Sequence, residues 1–227
     1  MRRLVGALVA GILLAPPAAA AMPHDPVPAP AVPIPRFDPA DAPPRTRAVH
    51  WRPSRALGSP AAGRLVDGVQ LPDEGRDFFT WDPVNLMSPN REWRRWGTSR
   101  LIRTLLRVIS EYRAAHPWAP RVGIGDLSRP RGGPFGAQYG GLGHASHQNG
   151  LDADVYYPRV DHRLLAAYKP ALVDRALAQD LVDRFVADGV QFVFVGTRTG
   201  LKVPRKVVEI IAHHSDHLHV RIYRPRG

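Results

Sequence analysis

Apolar residues recur along this chain with two different periods, and the periods predict its elements. Over 98–115, Leu101, Ile102, Leu105, Leu106, Ile109 and Tyr112 return at three- and four-residue spacing. Arg100, Arg103, Arg107 and Arg113 lie largely on the opposite side. That is the pattern of an amphipathic helix with one face in a core. Thr98 or Ser99 is its N-cap, and Pro117 marks its stop. Further helices are expected over 171–187 and 204–212. A period of two appears in 121–128 and again in 151–157. There Leu151, Ala153 and Val155 share one face, and Asp152 and Asp154 point away from it. The runs 191–196 and 218–224 read as strands. The opening stretch 51–75 is turn-rich with short apolar pieces, 129–143 is a glycine-rich loop, and Trp93 and Trp96 are packing residues. Without a regular βαβ rhythm, the class is α+β: a small mixed or antiparallel sheet flanked by helices.

The first residues change the picture of where the protein works. Arg2 and Arg3 precede an apolar run over 4–14 and an alanine-rich end with A-x-A sites. This reads as a secretory signal peptide over 1–21; the run is too short for a bilayer, which needs ~20 residues. Residues 22–47 are so rich in proline that they read as an extended tether, which leaves 48–227 as the folded domain. The formal charge of +11 favours anionic partners: nucleic acid, lipid or an acidic wall polymer. Export argues against nucleic acid, so the periplasm or cell envelope is the expected setting, with no integral membrane span once the signal is removed. The chain has no cysteine, hence no disulfide and no thiolate ligand.

The candidate chemistry lies in two histidine clusters. GHASHQNGLDAD carries His144, His147, Asp152 and Asp154; HHSDHLHV carries His213, His214, Asp216, His217 and His219. Imidazole beside carboxylate suits a zinc ion, although another divalent ion such as manganese fits the same donors less well. Gly150 permits a tight bend between His147 and Asp154. His217 and His219 project to one face of the last strand, so spacing leaves open which of them is the ligand. If the two strands are neighbours, three protein ligands converge and a fourth position stays open, as in catalytic zinc sites.

With H-x-x-G-x-x-x-D at His147–Asp154 and H-x-H at His217–His219, the chain resembles the zinc peptidase superfamily of D-Ala-D-Ala peptidases and the non-catalytic hedgehog signalling domains. With GDLSRPRGGP, SRALG and GVQLP added, it resembles the penicillin-insensitive murein endopeptidases over roughly residues 54–223. That resemblance implies one zinc per chain on His147, Asp154 and His219, with His217 as acid/base or transition-state stabiliser and His214 as a further active-site group. His144 matches another active-site histidine or orients a ligand. Asp152 binds a substrate amine or holds a histidine tautomer. Arg129 and Arg131 either grip a peptide carboxylate or form a basic surface loop. The implied activity is a D,D-endopeptidase acting on D-alanyl cross-links between the peptide stems of peptidoglycan. The alternatives are a D-Ala carboxypeptidase or dipeptidase, and a zinc-containing wall-binding module that does not cut.

Overall fold

Strict alternation in the central strands splits the sheet into an apolar face and a polar one, and the fold follows from that split. The computed structural model describes residues 48–136, 144–202 and 206–224. The expected signal peptide and tether lie outside the described residues. Among the described residues ten strands and two α-helices follow in chain order: β1 (Arg55–Ser59), β2 (Ala62–Val66), β3 (Val69–Gln70), β4 (Phe78–Thr80), β5 (Trp96–Gly97), α1 (Ser99–Ala115), β6 (Val122–Ile124), β7 (Asp152–Tyr156), α2 (Arg175–Ala187), β8 (Phe192–Gly196), β9 (Val208–Ile211) and β10 (His217–Arg221). The main sheet is mixed, in the order β4-β6-β7-β10-β8-β9. Its outer pairs β4–β6 and β8–β9 are parallel, and the pairs between them are antiparallel. A mixed sheet with two helices is the expected α+β class.

One face of the sheet carries Val122, Ile124, Ala153, Val155, Val193, Val195, Leu218 and Val220, all buried in a single core with the two helices. From α1 this core takes Leu101, Ile102, Leu105, Val108, Ile109 and Tyr112: five of the six stripe residues read from the sequence, with Val108 added, while Leu106 is only partly buried against the core. From α2 it takes Leu177, Ala178, Leu181, Val182 and Phe185. Truncating one of these leucines to alanine costs ~2–5 kcal/mol, because the cavity cannot fully collapse. The opposite face carries Asp152, Asp154, Tyr156, His217 and His219.

Local chemistry sets the boundaries. Thr98 caps α1, its side chain accepting from the Leu101 N–H, and its own N–H donates to the Gly150 carbonyl at 2.9 Å. The helix start and the histidine loop are thereby tied together. Gly150 has φ +74°, and a Cβ there would meet the Thr98 nitrogen at 3.0 Å. Its bend is thus needed for this docking as well as for the loop. The helix expected over 171–187 begins only at Arg175, since Asp174 accepts from the Leu177 N–H and caps it. A 3-10 turn at Pro170–Leu172 precedes it.

The helix expected over 204–212 is a misreading. Val208–Ile211 is the edge strand β9, paired in parallel with β8 from Val193↔Val208 to Gly196↔Ile211. Val207, Val208, Ile210 and Ile211 mimic helical spacing, but three of the four residues in the strand are β-branched, and an open edge of β8 was available to pair them. The stretch 51–75 holds an unforeseen hairpin, β1 with β2, in register from Arg55↔Val66 to Ser59↔Ala62. In 121–128 only Val122–Ile124 is strand. Beyond it the Gly125 N–H donates to the Asp154 carbonyl and the Asp154 N–H to the Asp126 carbonyl, before Leu127 turns to Arg94.

Candidate metal centre

The two histidine clusters meet because β7 and β10 are direct neighbours. Their register sets His219 opposite Asp154 and His217 opposite Tyr156. His147, on the loop entering β7, is fully buried and has φ +67°. A left-handed histidine is strained, and here the conformation lets its ring face the strand it precedes. Its Nδ1 lies 2.5 Å from the Leu127 carbonyl oxygen, which fixes the proton on Nδ1 and leaves the Nε2 lone pair free.

That Nε2 is 3.4 Å from Asp154 Oδ1 and 3.3 Å from His219 Nδ1, and His219 Nδ1 is 3.2 Å from the same Oδ1. Asp154 Oδ1 is buried yet has no hydrogen-bond partner. Donor atoms on a zinc ion at ~2.0–2.1 Å and tetrahedral angles stand about 3.3–3.4 Å apart. An unpaired carboxylate oxygen and two imidazole nitrogens at these separations fit a cation. A second grouping overlaps the first: His144, His147 and Asp154 offer donor atoms within 4.8 Å of one another. Residues of the described cluster could thus hold a metal in either combination.

Around the centre each histidine has a partner. His219 Nε2 is 2.7 Å from Asp152 Oδ1, and Arg221 Nε donates to that same oxygen at 2.7 Å. His144 Nε2 is 2.8 Å from Asp126 Oδ2, and Arg94 clamps Asp126 through both its Nε and its Nη2. His217 Nδ1 is 2.8 Å from Asp216 Oδ1, and its Nε2 looks toward Asp154 Oδ1 at 3.7 Å. His214 Nδ1 sits 2.8 Å from the Ala212 carbonyl oxygen, and its ring lies 4.8 Å from that of His217.

The electrostatics follow from burial set against these partners. Burial acts to raise the Asp154 pKa, but His147 and His217 beside it hold the carboxyl well below its ordinary range. Burial lowers the pKa of His147, against Asp154. For His219, burial is outweighed by Asp152 and Asp154, and the imidazole is pushed up to about 9. For His217, burial is outweighed by Asp154 and Asp216, and its pKa rises. For His214, burial outweighs the Ala212 carbonyl and Asp154, and its pKa falls. Tyr156 is pushed well above the usual phenol range by burial, then by Asp154, Asp126 and Asp216.

The family model of the penicillin-insensitive murein endopeptidases matches residues 56–184. The chain belongs to this family. Two curated penicillin-insensitive murein endopeptidases are similar to it. That of Yersinia enterocolitica is 32% identical over 102 residues, 45% of this chain and 32% of the relative. That of Haemophilus influenzae is 34% identical over 100 residues, 44% of this chain and 30% of the relative. The chain thus matches about a third of the length of these endopeptidases. The family match spans His144, His147, Asp152 and Asp154 but stops before β10, so for His217 and His219 the strand register provides the connection to the rest of the centre, and for His214 its ring contact with His217 does.

Of the residues singled out in the sequence, the structure brings His144, His147, Asp152, Asp154, His214, His217 and His219 together. Arg129 is half-buried and donates to the Pro134 carbonyl, and Arg131 is exposed in the turn before Gly132. Residues 137–143 of their loop lie outside the described residues. Sequence reasoning missed Asp126 and Arg94. An aspartate in the otherwise apolar run VGIGDL was a signal for a buried, paired carboxylate, but nothing local named Arg94, 32 residues away.

Proposed function

We propose that this protein is a zinc-dependent D,D-endopeptidase that hydrolyses D-alanyl cross-links between peptidoglycan peptide stems in the cell envelope. Family membership and the basic charge support the substrate class. The observation that carries the reading is the triangle of His147 Nε2, Asp154 Oδ1 and His219 Nδ1, with sides of 3.2–3.4 Å, on the polar face of the sheet. These three are the ligands on this reading. His144 is not among them, since its Nε2 is already engaged by Asp126. A zinc ion held there supplies Lewis-acid chemistry for amide hydrolysis.

The chain's own groups do the rest. Asp152 holds the His219 ring through Nε2, so that Nδ1 faces the centre, and the Leu127 carbonyl does the same for His147. His217 keeps a proton on Nδ1 through Asp216, so its Nε2 is the atom that takes a proton from the attacking water and returns it to the leaving amine. His214 stands behind His217 as the neutral neighbour. No serine is used as a nucleophile, so β-lactams do not acylate the enzyme.

Mass spectrometry of products from a purified cross-linked muropeptide dimer, with and without a chelator, tests the reading. Monomers that vanish on chelation are the expected result. Free D-alanine or D-Ala-D-Ala in place of monomers makes the protein a carboxypeptidase or dipeptidase. No products from zinc-replete protein that still binds peptidoglycan make it a binding module.

A further inference from the structure

Gly123 of β6 and Gly125, just past its end, face the polar side of the sheet, and the ring of Tyr156 lies along them. A Cβ at Gly123 would meet Tyr156 Cβ at 3.1 Å. A Cβ at Gly125 would meet Tyr156 Cε2 at 2.9 Å, Asp154 Cβ at 3.2 Å and Tyr156 Cζ at 3.5 Å. The ring therefore starts at Gly123 and runs so that its hydroxyl end arrives at Gly125, beside Asp154. Both glycines have ordinary negative φ, so what they supply here is space. Two further rings pin the phenol edge-on: Trp81 at 6.5 Å and His217 at 5.8 Å between centroids.

Tyr156 is only 4% exposed. Its hydroxyl makes no hydrogen bond among the described residues, yet it is absent from the sealed, unpaired side-chain atoms of the interior. What little of the residue meets solvent thus includes the oxygen. With no protein partner, the hydroxyl has only this narrow opening to solvent to satisfy it. Here the ring is locked on three sides, and its O–H opens beside the proposed catalytic centre. An acceptor supplied by substrate would satisfy it.

We propose that Tyr156 is a catalytic residue whose hydroxyl donates a hydrogen bond to the carbonyl oxygen of the scissile amide as negative charge builds there. This rests on the reading of the site as an amide hydrolase. The donor is preorganised, because the ring lies against Gly123 and Gly125 with Trp81 and His217 packed edge-on to it. Preorganised donors aimed at a developing oxyanion typically contribute 10²–10³-fold in rate. No bond in Tyr156 breaks; its proton stays on the phenol throughout.

The test compares zinc-loaded wild type with Tyr156→Phe, which keeps the ring and removes only the hydroxyl. The probe is a phosphinate isostere of the D-alanyl cross-link, whose tetrahedral oxygens stand in for the oxyanion, titrated by calorimetry. Zinc content and Tm are read alongside. Phosphinate affinity in Tyr156→Phe is expected to fall ~10-fold or more, with kcat on muropeptide dimer down ~10²-fold, KM little changed and zinc content unaltered. Equal phosphinate affinity in the two proteins overturns the proposal. Should wild type bind phosphinate but cut no dimer, the endopeptidase reading falls, and the affinity ratio still decides the role of Tyr156. Wild type that binds no phosphinate overturns both. If Tyr156→Phe does not fold, 3-fluorotyrosine incorporated at Tyr156 gives a second reading. It is the stronger donor and should bind phosphinate more tightly, and unchanged affinity overturns the proposal.

Discussion

Two arginine–aspartate–histidine chains approach Asp154 from the two flanks of β7, and they are built from the same parts to different ends. On the β6 side run Arg94, Asp126 and His144; on the β10 side run Arg221, Asp152 and His219. In the first, both carboxylate oxygens are spent. Oδ1 accepts from Arg94 Nε and Asn90 Nδ2, and Oδ2 takes Arg94 Nη2 and His144 Nε2. In the second, Arg221 and His219 share Oδ1, and Oδ2 is buried without a partner. The first chain ends on a histidine whose nearest nitrogen to Asp154, 3.9 Å away, is the one already engaged. The second ends on a histidine with its other nitrogen turned to Asp154 at 3.2 Å. One assembly braces the loops around the centre; the other presents a donor atom to it.

The largest test of that division is Arg94→Met. Arg94 and Asp126 are both fully buried, so losing the arginine strands a charge in the interior. The expected cost is ~3–5 kcal/mol, measured by urea unfolding with chelator present. Arg221→Met should cost clearly less, because Arg221 is part-exposed. Equal costs would break the comparison. Next in size, Asp152→Asn should weaken zinc binding ~10–100-fold in chelator competition, while Asp126→Asn should lower Tm with a smaller change in zinc affinity. The reverse order would exchange the two roles. The smallest effect is in pH. Burial acts against the charged form of Asp126, but Arg94 and His144 bring its carboxyl down to about 2. Its folded pKa lies below the unfolded value, so its contribution to stability is whole above about pH 4 and is lost as pH falls through about 2. Melting curves from pH 6 to 2 should therefore fall less steeply in Asp126→Asn than in wild type.

The legibility of the two chains in the sequence differs for a physical reason. His147, Asp154, His217 and His219 lie on or beside strands whose alternation is visible, so their faces could be assigned from spacing. Asp152 was visible for the same cause, though its choice between two roles needed His219 in place. Arg94–Asp126 is a pairing of two irregular segments, and no period connects them. The same limit hid the β1–β2 hairpin in a turn-rich stretch. It also turned β9 into a helix, because Val207, Val208, Ile210 and Ile211 suit both spacings until the open edge of β8 is known. The stripe on α1 needed no such knowledge, since six of its apolar residues mark one face by themselves.

The alternation of β10 has one more consequence. His217 and His219 face the proposed ion, while Leu218 and Val220 face the core. A slip of one residue against β7 would set a leucine or a valine beside Asp154 and drive two imidazoles among the side chains of α1 and α2. Binding site and apolar core are written on the same five residues in opposite phase. The strand therefore checks its own phase: a chain slipped by one residue loses the ligands of the proposed ion and its burial energy together.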